Sequence, residues 1–155
     1  MTSRYTEKAV DALAARLTAN FATQCRTVEA AAGISSGALT DPAAIVKARV
    51  HNDNRSPLLQ VYEERFDFIE QRQSFADVSC QIVLTFTGDA DLAAGQLKLR
   101  RYTTALIECV TSDPTLNQQV TAAVIQGGDT AARIGDDSTT RHALALDVEV
   151  RLETP

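Results

Sequence analysis

Two stretches of the chain place an apolar residue at every third or fourth position, which is the spacing of a helix with one buried stripe. The first stretch runs from Thr6 to Phe21 and repeats through Val10, Leu13 and Leu17. The second is expected from about Leu92 to Val110. Its predicted apolar stripe consists of Leu92, Leu99, Tyr102, Leu106, Cys109 and Val110.

Two other stretches alternate apolar and polar residues, as expected of strands with one buried face. They are Phe75–Thr87 and Arg141–Glu153. A slip of one residue in the second strand would bury its charged side chains, so the pattern also predicts its register. The shorter segment Val120–Ile125 is predicted to pair with this last strand as a hairpin. Gly127–Thr140, between them, is predicted to be a long, polar and mobile loop.

The remaining segments give weaker patterns. Thr23–Ala32 is interpreted as a weak strand. Asp41 followed by proline is a typical helix start, which predicts a short helix or turn over Pro42–Lys47. Leu58–Gln71 contains two strand-like halves, separated by the charged segment Tyr62–Arg65.

Aspartates mark two further turns. Asp89 and Asp91 precede the second helix and are suited to cap it. Asp113-Pro114 is predicted to open a short helical turn through Leu116. The whole order predicts one α+β domain spanning residues 1–155: a mainly antiparallel sheet, two helices packed on one face, and a C-terminal hairpin with a long loop, the arm 127–140.

The amino-acid composition indicates a class of protein but does not identify a function. The chain has 155 residues, of which 45% are hydrophobic and 23% charged, as in a folded globular domain. The formal net charge of -5 and the lack of tryptophan argue against a dedicated nucleic-acid binder. Neither a signal peptide nor a membrane-spanning run is expected from the sequence.

The closest match to a catalytic motif is Gly33–Gly37, which reads G-x-S-x-G around Ser35. In hydrolases this motif needs a buried strand before the serine and a helix directly after it. Here an alanine-rich segment precedes the serine, and Asp41 with its following proline interrupts the place of the helix. We therefore expect a flexible loop rather than a nucleophile.

The sequence predicts no metal site, cofactor or catalytic residue. His51 and His142 are well separated and are both predicted to lie on the surface. Cys25, Cys80 and Cys109 lack the spacing of a zinc or redox motif, and are expected to be buried, unreactive thiols.

Long strands in a small open sheet leave edges that must be covered or paired, and identical subunits are one means of doing so. This predicts an oligomer.

This arrangement resembles the tail-terminator and tail-completion proteins of long-tailed bacteriophages, and related small neck proteins. The resemblance lies in the N-terminal helix, the block Leu58–Thr87, the second helix, Asp113-Pro114-Thr115-Leu116, and the terminal strand Arg141–Glu153. It covers most of the chain beyond Gln60.

The resemblance implies a virion structural protein made in the host cytoplasm. Such proteins typically form a hexameric ring that caps the tail tube, ends its polymerisation and joins the tail to the head connector. Its partners would be its own copies, the tail tube protein and the connector or neck proteins. The resemblance implies interfaces formed by the 127–140 arm and by cations of the second helix. The candidate interface residues are Lys98, Arg101, Asp129, Arg133, Asp136 and Asp137. Genome DNA would pass through the ring without sequence-specific recognition, and an acidic lumen would let it slide.

Other classes remain open at this stage. A different neck or head-closure component would share the same features. A monomeric cytoplasmic adaptor, or a binding module like those of toxin-antitoxin systems, would need no ring. A small enzyme would have to use Ser35.

Overall fold

The computed structural model describes residues 2–68, 75–88, 91–134 and 139–153. Within these ranges the chain forms two helices and five strands. In chain order they are α1 (Thr2–Ala32), β1 (Ala44–Val46), β2 (Leu58–Phe68), β3 (Phe75–Gly88), α2 (Leu92–Thr111), β4 (Ala122–Ile134) and β5 (Thr140–Glu153).

The five strands form one sheet in the order β1-β2-β3-β5-β4. Neighbouring strands are antiparallel except for β1, which is parallel to β2. Both helices pack on this sheet, and β4 and β5 form the C-terminal hairpin. The predicted α+β fold is therefore confirmed.

The alternation of β3 and β5 sets the two faces of the sheet. Even-numbered residues from Ala76 to Phe86 and from Leu144 to Leu152 are buried beneath the helices. Odd-numbered residues of both strands lie on the opposite face, called the outer face below. There Asp77 forms an ion pair with Arg151 across the two strands, at 2.9 Å.

The helices pack on the inner face and on each other. Leu13, Leu17 and Phe21 form the buried stripe of α1, and Tyr102 of α2 stacks on Phe21 with ring centroids 6.1 Å apart. Arg16 of α1 donates from Nε to the carbonyl oxygen of Cys109 in α2 at 2.9 Å. The apolar stripes predicted for these helices thus form one core, except that Leu92 is 41% exposed.

Helix α1 is longer than predicted. The segment Thr23–Ala32, interpreted as a weak strand, continues the helix. Cys25 follows Phe21 by four residues and is fully buried, so the apolar stripe extends by another turn. Gly33, with a φ of +68°, ends the helix, and its N–H bonds to the carbonyl oxygen of Ala30.

The short helix predicted over Pro42–Lys47 is also wrong, because this segment contains β1. Asp41 does not cap a helix. Its carboxylate lies 3.2 Å from the guanidinium of Arg26, which ties the segment back to α1. The main-chain N–H of Ala43 bonds to the carbonyl oxygen of Pro57, and this extends the pairing with β2.

Two strands run further than predicted. β2 is continuous through Tyr62–Arg65, the charged segment that was predicted to interrupt it. The pairing of β2 with β3 shifts register within this segment, between Glu63 and Arg65. β4 continues through Gly127 to Ile134, so most of the predicted loop arm is strand. The reason is pairing: this half of β4 lies against β5 from Asp147 to Thr140.

The predicted aspartate turns are partly confirmed. The Asp91 carboxylate accepts a hydrogen bond from the N–H of Ala94 and caps α2, while Asp89 lies outside the described residues. The segment that Asp113 opens after α2 is a turn, but part of it has a left-handed backbone and is not an ordinary helical turn. Its left-handed residues, with φ between +48° and +63°, are Leu116, Asn117 and Gln118.

Candidate interface

The sheet has two long edges without a strand partner in the part of the chain that the structure describes. Among the described strands, β4 pairs with β5 alone. At the opposite side, β1 covers only Leu58–Gln60 of β2. The remainder of β2, Val61–Phe68, is therefore a second open edge.

The edge formed by β4 is 13 residues long and poorly covered. Every residue from Gln126 to Arg133 is exposed, so neither face of this half is packed. Val124, on the outer face, is 52% exposed. A bulge between Ile125 and Gly127 is one of the devices that discourage unwanted strand pairing, but the strand continues beyond it.

The edge formed by β2 carries two exposed aromatic residues. Phe66 and Phe68 are 39% and 37% exposed. They pair with Val78 and Ala76, which are buried, and therefore project to the helix side of the sheet. Tyr5 of α1 contacts Phe68 edge to face, with ring centroids 6.1 Å apart.

The predicted interface residues do not form one cluster. Asp129 and Arg133 are exposed on β4 and pair with Ala145 and Arg141, which places them on the outer face. Lys98 and Arg101 lie on α2, on the other side of the sheet. The last two candidates, Asp136 and Asp137, lie outside the described residues.

Lys98 is half-buried and has a structural role. Its Nζ lies 5.4 Å from the ring centroid of Phe86 and 5.9 Å from that of Tyr102. An ammonium group over two aromatic faces is attracted by their ring electrons. Lys98 therefore stabilises the packing of α2 on β3, which makes it less available to a partner than a fully exposed cation would be.

The G-x-S-x-G segment follows the end of α1. Ser35 is exposed, and the structure places a loop after it instead of the helix that a nucleophile elbow needs. Glu29, which is buried, accepts a hydrogen bond from the N–H of Leu39 at 2.7 Å and pairs with Arg26. The contact with Leu39 ties the loop after α1 back to the end of the helix, so a structural role accounts for this segment.

His51 is exposed, as predicted, but the prediction that His142 lies on the surface is wrong. His142 is fully buried on the inner face of β5 and stacks on Phe86, with ring centroids 5.1 Å apart. Burial lowers the pKa of the His142 imidazole below its ordinary value of 6.5, because the charged form loses its hydration.

The ring of His142 lies directly against the backbone of α2 at Gly95. A Cβ added to Gly95 would lie 2.0 Å from Nε2 and 2.5 Å from Cε1. Neither ring nitrogen has a hydrogen-bond partner in the described part of the chain. The sequence did contain a signal for this burial, because alternation along the strand places His142 on the same face as Leu144 and Leu146.

A cavity of about 200 Å³ lies beside His142, between α2 and β4. On the β4 side it is lined by the short side chains of Thr130 and Ala132, which pair with Leu144 and His142 and so lie on the inner face. The α2 side is formed by Gln96, Leu99, Arg100 and Thr103. Among the described residues, none that lines the cavity carries a carboxylate.

The three cysteines are buried and free, as the sequence predicted. Burial raises the pKa of Cys25 and Cys80 to about 12 and that of Cys109 to about 11. Thiols with such pKa values are not nucleophiles near neutral pH. Among the described residues, no group of histidine, cysteine or acidic side chains has the arrangement of a metal site.

Comparison with known proteins gives no family assignment. The chain matched no protein-family model and no curated protein. Within the described ranges, neither helix combines the length and the apolar character needed to cross a membrane.

Proposed function

We propose that this chain is a structural protein of a bacteriophage tail or neck, which closes into a ring through its sheet edges. In the virion the ring caps the tail tube, stops its polymerisation and presents a surface to the head connector. The resemblance in element order supports this assignment. The observation that carries the ring is the pair of long open edges, β4 and the second half of β2.

The strand directions suit a head-to-tail contact. Because β2, β3, β5 and β4 alternate in direction, β2 and β4 are antiparallel to each other. A neighbouring copy in the same orientation would therefore place its β2 antiparallel to β4. Contacts between two different edges continue from copy to copy until the rotation closes a ring.

The strand register within one copy predicts which residues would meet between two copies. Arg65 pairs with Ser79, Ser79 with Glu149, and Glu149 with Val124. These residues lie on the outer face at one height. If the sheet continues without stagger, Arg65 of one copy lies near Val124 of the next, and both side chains are exposed.

The helix side and the exposed half of β4 would then be available to other partners. We assign contacts with the tail tube or the connector to Arg101 and to segment 127–134, which carries Asp129 and Arg133. The net charge of -5 disfavours tight binding of DNA passing through the ring. A tail terminator is the first assignment, and another neck component would use the same edges.

The test is crosslinking of a chain carrying Arg65→Cys and Val124→Cys, using a short bismaleimide, beside mass photometry of the unmodified protein. The native thiols are buried and are not expected to react. The expected result is a closed oligomer of one size and a ladder of covalent multimers. Each single variant is the matched control and should give no ladder.

Every other outcome counts against a specific part of the proposal. A monomer at micromolar concentration would refute the ring and favour a monomeric adaptor. A ring without a ladder would refute the edge contact. A covalent dimer from Val124→Cys alone would show two-fold pairing of β4 edges, which cannot extend to a ring. If rings form, they should be mixed with tail tubes, and negative-stain images should then show rings bound at the tube ends only.

A further inference from the structure

The cavity beside His142 differs chemically from the rest of the surface. The protein has 20 acidic residues and 15 basic ones, yet the described residues that line the cavity comprise one cation, four other polar side chains and no acid. The cation is Arg100, which is exposed at the mouth. In the described part of the chain its guanidinium makes no ion pair and no side-chain hydrogen bond.

The part of the cavity wall formed by His142 has unmet hydrogen-bonding capacity. His142 is fully buried, and both ring nitrogens lack a partner within the described ranges. A neutral imidazole always carries one N–H donor and one acceptor nitrogen. Leaving such groups unpaired in the interior is costly, and buried polar groups are normally satisfied.

Packing fixes the orientation of that ring. Phe86 stacks on one of its faces, and Gly95 lies against Nε2. Nδ1 is the ring nitrogen farther from Gly95. Gln96 adds a side-chain amide from α2 and Thr130 adds a hydroxyl from β4, whereas the Thr103 hydroxyl donates its proton to the carbonyl oxygen of Leu99.

We propose that this cavity binds a small oxyanion through Arg100 and His142. The guanidinium supplies the charge and a pair of donors suited to phosphate or carboxylate oxygens. The imidazole N–H, the Gln96 amide and the Thr130 hydroxyl complete the contacts. Among the described residues no carboxylate lines the cavity to repel an anion, and a volume of about 200 Å³ admits a phosphate ion.

The probe is inorganic phosphate, titrated into the full-length protein while sodium chloride keeps the ionic strength constant. The readouts are the amide resonances of Thr103 and Thr130 and the imidazole resonances of His142. Saturable shifts at these positions are expected. Arg100→Gln should weaken phosphate binding about tenfold or more, because a charge-assisted hydrogen bond is lost.

Arg101→Gln is the matched control, because it removes the same charge from the next position of the helix, outside the cavity lining. It should leave phosphate binding unchanged. Absence of saturable shifts in the wild-type protein, or equal weakening by Arg100→Gln and Arg101→Gln, would overturn the proposal. The site does not depend on the ring, so the outcome is independent of the oligomer test.

Discussion

The substitution Gly95→Ala tests the contact between α2 and β5 directly. A methyl group at Gly95 would lie 2.0 Å from His142 Nε2, far inside any normal contact distance. The imidazole is stacked on Phe86, and the cavity that it lines lies beside it, so the ring can turn aside only by giving up that stacking. Either the helix must move away from the sheet or the ring must leave its place.

The expected magnitude follows from two opposing effects. Overpacking a well-packed core costs about 1–3 kcal/mol, and this overlap belongs at the upper end of that range. Alanine favours a helix over glycine by about 1 kcal/mol. We therefore expect Gly95→Ala to lower the free energy of unfolding by about 2 kcal/mol, or the Tm by about 4–8 °C for a chain of this size.

The assay is urea unfolding followed by circular dichroism, with a double-mutant cycle. In the His142→Ala background the obstruction is gone, so Gly95→Ala should become neutral or stabilising by up to about 1 kcal/mol. Stabilisation of the wild-type protein by Gly95→Ala would refute the predicted clash. An equal cost in the two backgrounds would show that the clash does not involve His142.

Two further predictions follow from titratable groups in the core. Because burial lowers the pKa of His142, the unfolded chain binds more protons below about pH 6.5, so stability should fall as the pH drops through this range. In His142→Leu the unfolding free energy should depend less steeply on pH between about 5 and 7, and parallel curves for both proteins would contradict this. The three cysteines should react with a thiol reagent such as DTNB only on unfolding, since burial raises their pKa values. Immediate labelling of the native protein at pH 8 would show that the thiols are accessible.

Much of the fold could be predicted because alternation and helical spacing are strong in the segments that build the core. β3, α2 and β5 were placed to within a few residues. The missed turns of α1 show a limit of local propensity, since Thr27 and Val28 favour strands. The stripe through Cys25 was the better guide, because burial outweighs propensity.

Local signals failed where distant partners decide the structure. Gly127 and the glycine after it are typical of a turn, but β5 supplies a complete pairing strand beside them. Asp41 looks like a helix cap, but Arg26 on α1 binds it. Neither partner is visible from the neighbouring sequence.

The candidate site was less accessible to prediction than the fold. The interface residues were chosen for charge, whereas the open edges depend on strand order. The polarity of His142 suggested the surface, although its position in the alternation indicated the interior. The cavity depends on the distance between α2 and β4, which no sequence pattern encodes.

The position of β5 within the sheet has a consequence for biosynthesis. This strand is inserted between β3 and β4, both of which precede it in the chain. A nascent polypeptide that has not yet reached residue 140 can form its helices and pair β2 with β3, but it has no strand to join β3 to β4. Completion of the sheet must therefore wait for the long-range pairing of β3 with β5, and such contacts are slow to form. Incomplete translation products would be left without a finished sheet and exposed to degradation or aggregation.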